Sequence, residues 1–373
     1  MSAPRQILIV NAGSSSLKLR RLDAHDQLVA SHDLQMTRGT VDRPALARAL
    51  ADAEPPDAIG HRIVHGGRRY LGPVRLDAAV ERDLRLLVDL APLHQPKSID
   101  ALEAVKAIYP DVPAVASFDT AFHAAMPPAA TTYALPREWR ERWDLRRYGF
   151  HGLSHAYATR RVGELLERPP TAFRAVICHL GAGASLAAVA GGVSVDTTMG
   201  FTPLEGLVMA TRSGSVDPGL LMWLQEHVGM PAQEMAATLE NRAGLLGLSG
   251  TADMAAVIDR SAAGDEVAST ALAVYLHRLR AAVAAMTAAM GGLDVLVFTG
   301  GVGEHAPAIR AATCEGLAFL GVSHDPAADL RAPAAGSPDR EIGVPGAPVR
   351  VFVIEAREDL QMAHEVRQVL AGG

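Results

Sequence analysis

One short pattern occurs twice in this chain: a buried strand, a turn of small residues, and a return strand. Ile7-Leu-Ile-Val10 runs into Asn11-Ala-Gly-Ser-Ser-Ser16 and resumes as Leu17-Lys18-Leu19-Arg20. In the second half, Arg174 to His179 leads to Leu180-Gly-Ala-Gly-Ala-Ser185 and resumes as Leu186 to Ala190. Four apolar residues in a row read as a buried strand, and the Gly/Ser run after them as a tight turn. Such a turn exposes backbone N–H groups and hydroxyls that suit phosphate oxygens, and Lys18 adds a positive charge beside the first one. Either turn alone is equally an ordinary polar hairpin. Two of them, one per half, point to two similar domains that each offer a Gly-rich hairpin, a duplicated nucleotide-binding architecture.

The length of 373 residues is more than one core usually supports, which agrees with two domains. Apolar residues make up 49% of the chain, with alanine prominent and aromatics at only 5%, which favours closely packed helices. The net charge of −6 and the lack of a basic run argue against a nucleic-acid partner. Cys178 and Cys314 form no metal or redox spacing, as expected in a reducing cytoplasm. The apolar run near the N-terminus is too short for a signal-peptide core. Ala281 to Phe298, broken by Gly291-Gly292 and Asp294, reads as helix, turn and strand and not as a membrane span. The expectation is a soluble cytoplasmic protein with no membrane partner.

Polar groups gather where strands end. Ala58 to Val64 alternates apolar residues with His61 and Arg62 and stops at Gly66-Gly67, and the C-terminal ends of strands are where open α/β sheets place ligands. Val112 to Ser117 reads as a strand that delivers Asp119, which is equally a helix N-cap by itself. His151 is bracketed by Gly149 and Gly152, so a tight turn presents its imidazole. Arg212 lies on a Thr/Ser/Gly loop, where its planar fork suits a phosphate or carboxylate. Gly244 to Asp253 reads as a Gly-rich loop, and Asp265 to Met290 as a long helix. Leu293 to Phe298 reads as a strand running into Thr299-Gly-Gly-Val-Gly303, a strand, glycine turn and helix start of the anion-binding kind. No P-loop pattern occurs anywhere in the chain. Glu358 and Asp359 open the last helix, where they cap it or meet a metal.

Taken together, these stretches resemble the acetate kinase family. The residues that carry the resemblance are Asn11-Ala-Gly-Ser-Ser-Ser-Leu-Lys18, His61-Arg-Ile-Val-His-Gly-Gly67, Phe118-Asp-Thr-Ala-Phe-His123 and Tyr148-Gly-Phe-His-Gly152. Asp196-Thr-Thr-Met-Gly-Phe-Thr-Pro-Leu-Glu-Gly206, Thr211-Arg-Ser-Gly214 and Phe298-Thr-Gly-Gly-Val-Gly-Glu304 complete the set in the family's order. The resemblance implies an α/β fold of duplicated RNase H-like (actin-like ATPase) domains, each with a mixed five-stranded sheet flanked by helices. It implies an N-terminal domain of 1–150 plus 356–373 and a nucleotide-binding, dimerising domain of 151–355. It further implies a homodimer that uses ATP with Mg²⁺ (or Mn²⁺) to phosphorylate a short carboxylate.

By the same resemblance, Asn11, Ser14, Ser16 and Lys18 approach the phosphates and metal, with Glu358 acting at Mg²⁺. Arg62 and Arg212 hold the carboxylate and the transferring group, His151 stabilises charge on that group, and Asp119 orients or activates the substrate. Val64, Leu93, Phe150 and Pro203 match the pocket for the acyl methyl group. His179, Gly181, Gly183, Asp253, Gly300, Gly301, Gly303 and Glu304 match the nucleotide side. His94 and His123 lie near the site and matter less. Acetate is favoured over propionate or butyrate because Val64 and Leu93 suit a small acyl group. An ATP-driven conformational switch of the actin or Hsp70 type would not need Arg62, Asp119, His151 and Arg212.

The chemistry explains these residue types. Phosphoryl transfer passes through a loose transition state, so catalysis is mostly alignment and charge stabilisation. A carboxylate is already ionised near pH 7 and needs no strong base, only cations that offset its repulsion from ATP. The departures from the family fall on the nucleotide side. Ala182 stands where Asn is usual, the Gly250–Ala255 loop lacks an arginine after Asp253-Met254, His305 replaces an Asn, and the chain is somewhat short.

Overall fold

In the computed structural model, which describes residues 4–13, 16–37, 40–51, 54–91, 94–331 and 338–371, the first strand is buried on both faces. This strand, β1 (Ile7–Ala12), sends Leu8 and Val10 to one face, where Ala101, Ala104 and Val105 of the Gln95–Ile108 helix cover them. Ile7 and Ile9 point the other way, under Met362, Ala363, Val366 and Leu370 of the Glu358–Ala371 helix. Burial on two faces is why the strand reads as an unbroken apolar run.

β1 pairs antiparallel with β2 (Ser16–Leu22), which pairs with β3 (Leu28–Thr37), and that with β4 (Thr40–Val41). On the other side of β1 come β5 (Ala58–Ile63) and, after the edge strand β6 (Val74–Arg75), β7 (Ala114–Phe118). The order is β4-β3-β2-β1-β5-β7-β6, with β1, β5 and β7 parallel. Gly60 admits the C-terminal helix closely, since a Cβ there would meet Val366 Cγ2 at 3.0 Å.

The second sheet repeats the plan. β8 (Arg174–Leu180), β9 (Ala184–Ala190) and β10 (Val193–Thr197) form an antiparallel meander. β11 (Val295–Thr299) then lies parallel to β8, and after the edge strand β12 (Arg340–Glu341), β13 (Arg350–Val353) lies parallel to β11. Each half therefore contains the expected five-stranded mixed sheet: a three-strand meander with two parallel strands added. The two-residue strands β4, β6 and β12 extend these cores to seven and six strands.

The 25-residue helix Glu266–Met290 shows how sequence sets an element. Asp265 caps it by accepting from Val267 N and Ala268 N, and Gly291 ends it at φ 67°. Ala268, Ala271, Tyr275, Leu279, Val283 and Met286 form its buried stripe at helical spacing. The stretch expected to be a loop, Gly244 to Asp253, is instead helical over Gly244–Ser249. Gly244 enters at φ 59°, and Leu245 is buried, so a short amphipathic turn wins over the glycine content.

The chain divides into two units, Met1–Ala124 with Phe150–Tyr157 and Arg357–Gly373, and Ala125–Gly149 with Ala158–Ala356. Residues 125–149 group with the second unit, where Arg147 N bonds to Thr131 O and Tyr148 N to Gly200 O. Both cysteines are buried and unpaired by disulfide, and burial pushes the Cys314 thiol up to about 12. Among the described residues no helix is long and apolar enough to cross a membrane.

Candidate active site

In the first unit, the C-terminal ends of the parallel strands β1, β5 and β7 bring Asn11, Arg62 and Asp119 together. Arg62 Nε donates to Asp119 Oδ1 at 2.9 Å, and Nη2 donates to Oδ2 at 2.6 Å. Its Nη1 donates to Asn11 Oδ1 at 3.0 Å and lies 4.0 Å from Glu358 Oε2. Asn11 Nδ2 in turn donates to Glu358 Oε2 at 2.8 Å. Among the described residues, three of its five guanidinium N–H groups are engaged, which leaves one each on Nη1 and Nη2 for a ligand. The Asp119 side chain is 2% exposed. Burial pushes its carboxyl above the usual range, Arg62 opposes that, and Glu358 adds to it. For Arg62, burial acts against the charge, but Asp119 and Glu358 outweigh it and raise its pKa. Lys18 pairs across the β1–β2 hairpin with Asn11 and is exposed. Ser16 O accepts from Gly13 N at 2.8 Å, closing the turn. Ser14 and Leu93 lie outside the described residues.

His151 belongs to the same unit. Its φ of 57° is left-handed, and its two flanking peptides are held: Gly152 N donates to Asp119 O at 2.8 Å, and the Phe150 carbonyl contacts His123 Nε2 at 3.1 Å. Gly152 is required, because a Cβ there would collide with the Asp119 carbonyl oxygen. Val64 and Phe150, expected to receive the acyl methyl group, are both buried.

In the second unit, Arg212 Nη1 donates to the carbonyl of Pro203 at 2.9 Å, and its Nε lies 3.5 Å from Glu240 Oε2. Burial lowers its pKa while Glu240 supports the charge. The stretch from Thr197 to Glu205, which includes Pro203, is held by Arg147. Arg147 Nη1 donates to the carbonyls of Thr197, Thr198 and Met199 at 3.3, 3.2 and 3.1 Å, and Nη2 donates to Glu205 Oε1 at 2.7 Å. Tyr133 OH donates to Glu205 Oε2 at 2.5 Å and accepts from Phe201 N at 2.9 Å. Gly200 lies beneath this pair, and a Cβ on it would collide with both Glu205 Oε2 and Tyr133 OH. Nothing local marks Arg147 in the sequence, since its partners lie some 50 positions on.

The glycine turns of the second unit border a cavity of about 490 Å³. Gly181, Asp253 and Gly301 line it, and so do Ala182, Ala255 and His305, the three departures on the nucleotide side. Among the described residues, the ionisable groups on its walls are Asp253, Asp259, His305 and the Tyr275 phenol, and Asp253 is occupied in capping its helix through Ala255 N at 3.0 Å. His179, Gly183, Gly300, Gly303 and Glu304 are not among the lining residues. His179 ends β8, and Gly300, at φ 78°, packs against the Leu180 backbone. Glu304 Oε1 accepts from Gly300 N at 2.8 Å and Ala356 N at 3.0 Å, so it ties the turn together.

Among the described residues no cluster of three or more His, Cys, Asp or Glu could hold a metal. Asn11 and Glu358 offer one amide oxygen and one carboxylate. That set fits Mg²⁺, which keeps several waters and binds through one or two carboxylates plus substrate phosphates.

The model of the Acetokinase family matches residues 45–364. The acetate kinase of Leifsonia xyli is 42% identical over 98% of this chain and 99% of its own, and that of Bacillus subtilis 38% identical over 97% and 98%. The crystal structure of Porphyromonas gingivalis acetate kinase superimposes with a TM-score of 0.89 at 33% identity, covering 98% of this chain and 99% of that one. A propionate kinase from Francisella tularensis gives the same TM-score, 0.89, at 33% identity over 98% and 99%.

Proposed function

We propose that this chain, which belongs to the acetokinase family, transfers the γ-phosphoryl group of ATP reversibly to acetate, giving acetyl phosphate and ADP. The observation that carries the reading is the Arg62–Asp119 pair. A half-buried guanidinium is fixed on two edges and keeps two N–H donors for an anion. That is the arrangement a carboxylate nucleophile needs, since it must be held and its charge offset without being protonated.

The rest of the mechanism follows from charge. Transfer is direct and in line, through a loose transition state with charge spread over the phosphoryl oxygens. Arg62 orients the carboxylate, Asp119 holds Arg62 in register, and His151 and Arg212 offset charge on the transferring group. Asn11 and Glu358 would hold Mg²⁺, which when bound would supply charge neutralisation at the phosphates. The 490 Å³ cavity is read as the seat of the nucleoside, with Gly181 and Gly301 admitting it closely. Val64, Phe150 and Pro203 supply the apolar surface for the methyl group, which favours acetate with propionate as a secondary substrate. The helix Pro218–Val228 buries none of its side chains and exposes Leu220, Met222, Trp223 and Val228 by about half each. We read it as part of a homodimer contact.

A hydroxamate assay with acetate, propionate and butyrate at matched ATP tests this reading. Acetyl hydroxamate formed fastest is the expected result. ATP hydrolysis with no acyl hydroxamate from any acid would overturn it.

A further inference from the structure

We infer that His123 is a positioning residue for His151, holding the peptide that carries it through an Nε2–H bond to the Phe150 carbonyl. The inference rests on the reading of His151 given above and adds a residue to it.

His151 sits at φ 57°, a region that non-glycine residues occupy only when their surroundings impose it. The torsion φ is rotation between the Phe150–His151 peptide and the His151 Cα. Fixing the planes of the two flanking peptides therefore fixes the direction of the His151 Cα–Cβ bond, from which the imidazole extends. The Phe150 carbonyl lies 3.1 Å from His123 Nε2, and a carbonyl can only accept, so Nε2 carries the hydrogen. The next peptide is fixed by Gly152 N on Asp119 O at 2.8 Å, and the His151 carbonyl by His155 N at 3.0 Å. His151 is thus clamped on both sides, and His123 supplies the clamp on the φ side.

The donor is itself held in place. His123 is fully buried, with its ring edge-on to His155 at 5.5 Å and to Phe122 at 5.6 Å. The Phe150 ring meets His65 edge-on at 5.6 Å, so the acceptor residue is fixed at both its side chain and its carbonyl. Burial holds His123 down to about 4, so the ring is neutral at working pH.

The test measures kcat and KM for both substrates in the full-length enzyme. His123→Phe keeps a ring and removes the donor, and His123→Gln keeps an N–H near the Nε2 position. His123→Phe lowers kcat by about 10- to 100-fold with KM for acetate and ATP nearly unchanged, the size expected of a small misplacement. His123→Gln restores kcat to within about threefold of wild type. In a His151→Ala background, His123→Phe causes no further loss, because its effect passes through His151. An equal fold loss in both backgrounds, or a raised KM for acetate with kcat intact, overturns the inference. If His123→Phe does not fold, His123→Gln is compared with the shorter His123→Asn. A kcat about tenfold higher for Gln supports the inference, and equal values overturn it. Wild-type kcat in His151→Ala overturns the reading of His151, and the inference with it.

Discussion

Arg62 meets Asp119 at two points, Nε on one carboxylate oxygen at 2.9 Å and Nη2 on the other at 2.6 Å, with the Asp119 side chain 2% exposed. A planar fork on a planar acceptor leaves the guanidinium one orientation, which a lysine could not reproduce. Arg62→Lys is therefore expected to lower kcat by about 100- to 1,000-fold, the scale of losing a preorganised donor. Asp119→Asn removes the buried charge that faces a half-buried guanidinium and is expected to cost about 1–3 kcal/mol of stability. Steady-state kinetics and denaturant melts check the two separately.

Stability should fall on mild acidification. His61, His65 and His123 are buried, and desolvation lowers them to about 3, 4 and 4, against about 6.5 in the unfolded chain. A depressed folded pKa means the unfolded state binds more protons, so this stability is present above pH 6.5 and lost as pH falls toward 4. At pH 5 each histidine contributes a loss of about 2 kcal/mol, roughly 6 together. Urea melts between pH 7.5 and 5 measure it. A flat profile would contradict the assignment of buried neutral rings.

Gly200→Ala should destabilise the loop before Arg212. The added methyl meets Glu205 and Tyr133, which Arg147 and Phe201 N hold in place. A loss of about 1–3 kcal/mol is expected, with kcat falling more than in a distant control. Thermal melts alongside kinetics separate the two effects.

Much of this was legible in the sequence because it is local. Both hairpins, the caps of the Glu266–Met290 helix and the strand ends carrying Asn11, Arg62 and Asp119 follow from nearby residues. The Gly244–Ser249 helix was missed because burial of Leu245 overrode glycine content. Arg147 was missed because its acceptors at Thr197 to Glu205 are distant in sequence. That Glu358 and Asn11 serve one metal came from the resemblance, and the hydrogen bond between them, 347 positions apart, is visible only in the structure.

Ala182→Asn should strengthen nucleotide binding. Ala182 lines the 490 Å³ cavity, whose walls offer few polar groups. A side-chain amide there adds a hydrogen bond worth roughly 1–3 kcal/mol, so KM for ATP should drop by about tenfold. An unchanged KM for ATP would contradict this.

Trp223→Glu should yield monomers if the exposed Pro218–Val228 helix is a dimer contact. Trp223 is 49% exposed and Met222 59%, so a charge there costs the isolated unit little. Light scattering on wild type and variant reads the mass directly. A wild-type monomer, or a variant dimer of unchanged affinity, would contradict the assignment.

The central claim is that a carboxylate oxygen attacks the γ-phosphorus. Doubly ¹⁸O-labelled acetate, ATP and Mg²⁺ are incubated with the enzyme, and acetyl phosphate is followed by ³¹P NMR. One ¹⁸O-bridged phosphoryl group per product is expected, seen as a single isotope shift. Inorganic phosphate and ADP without labelled acetyl phosphate would contradict it.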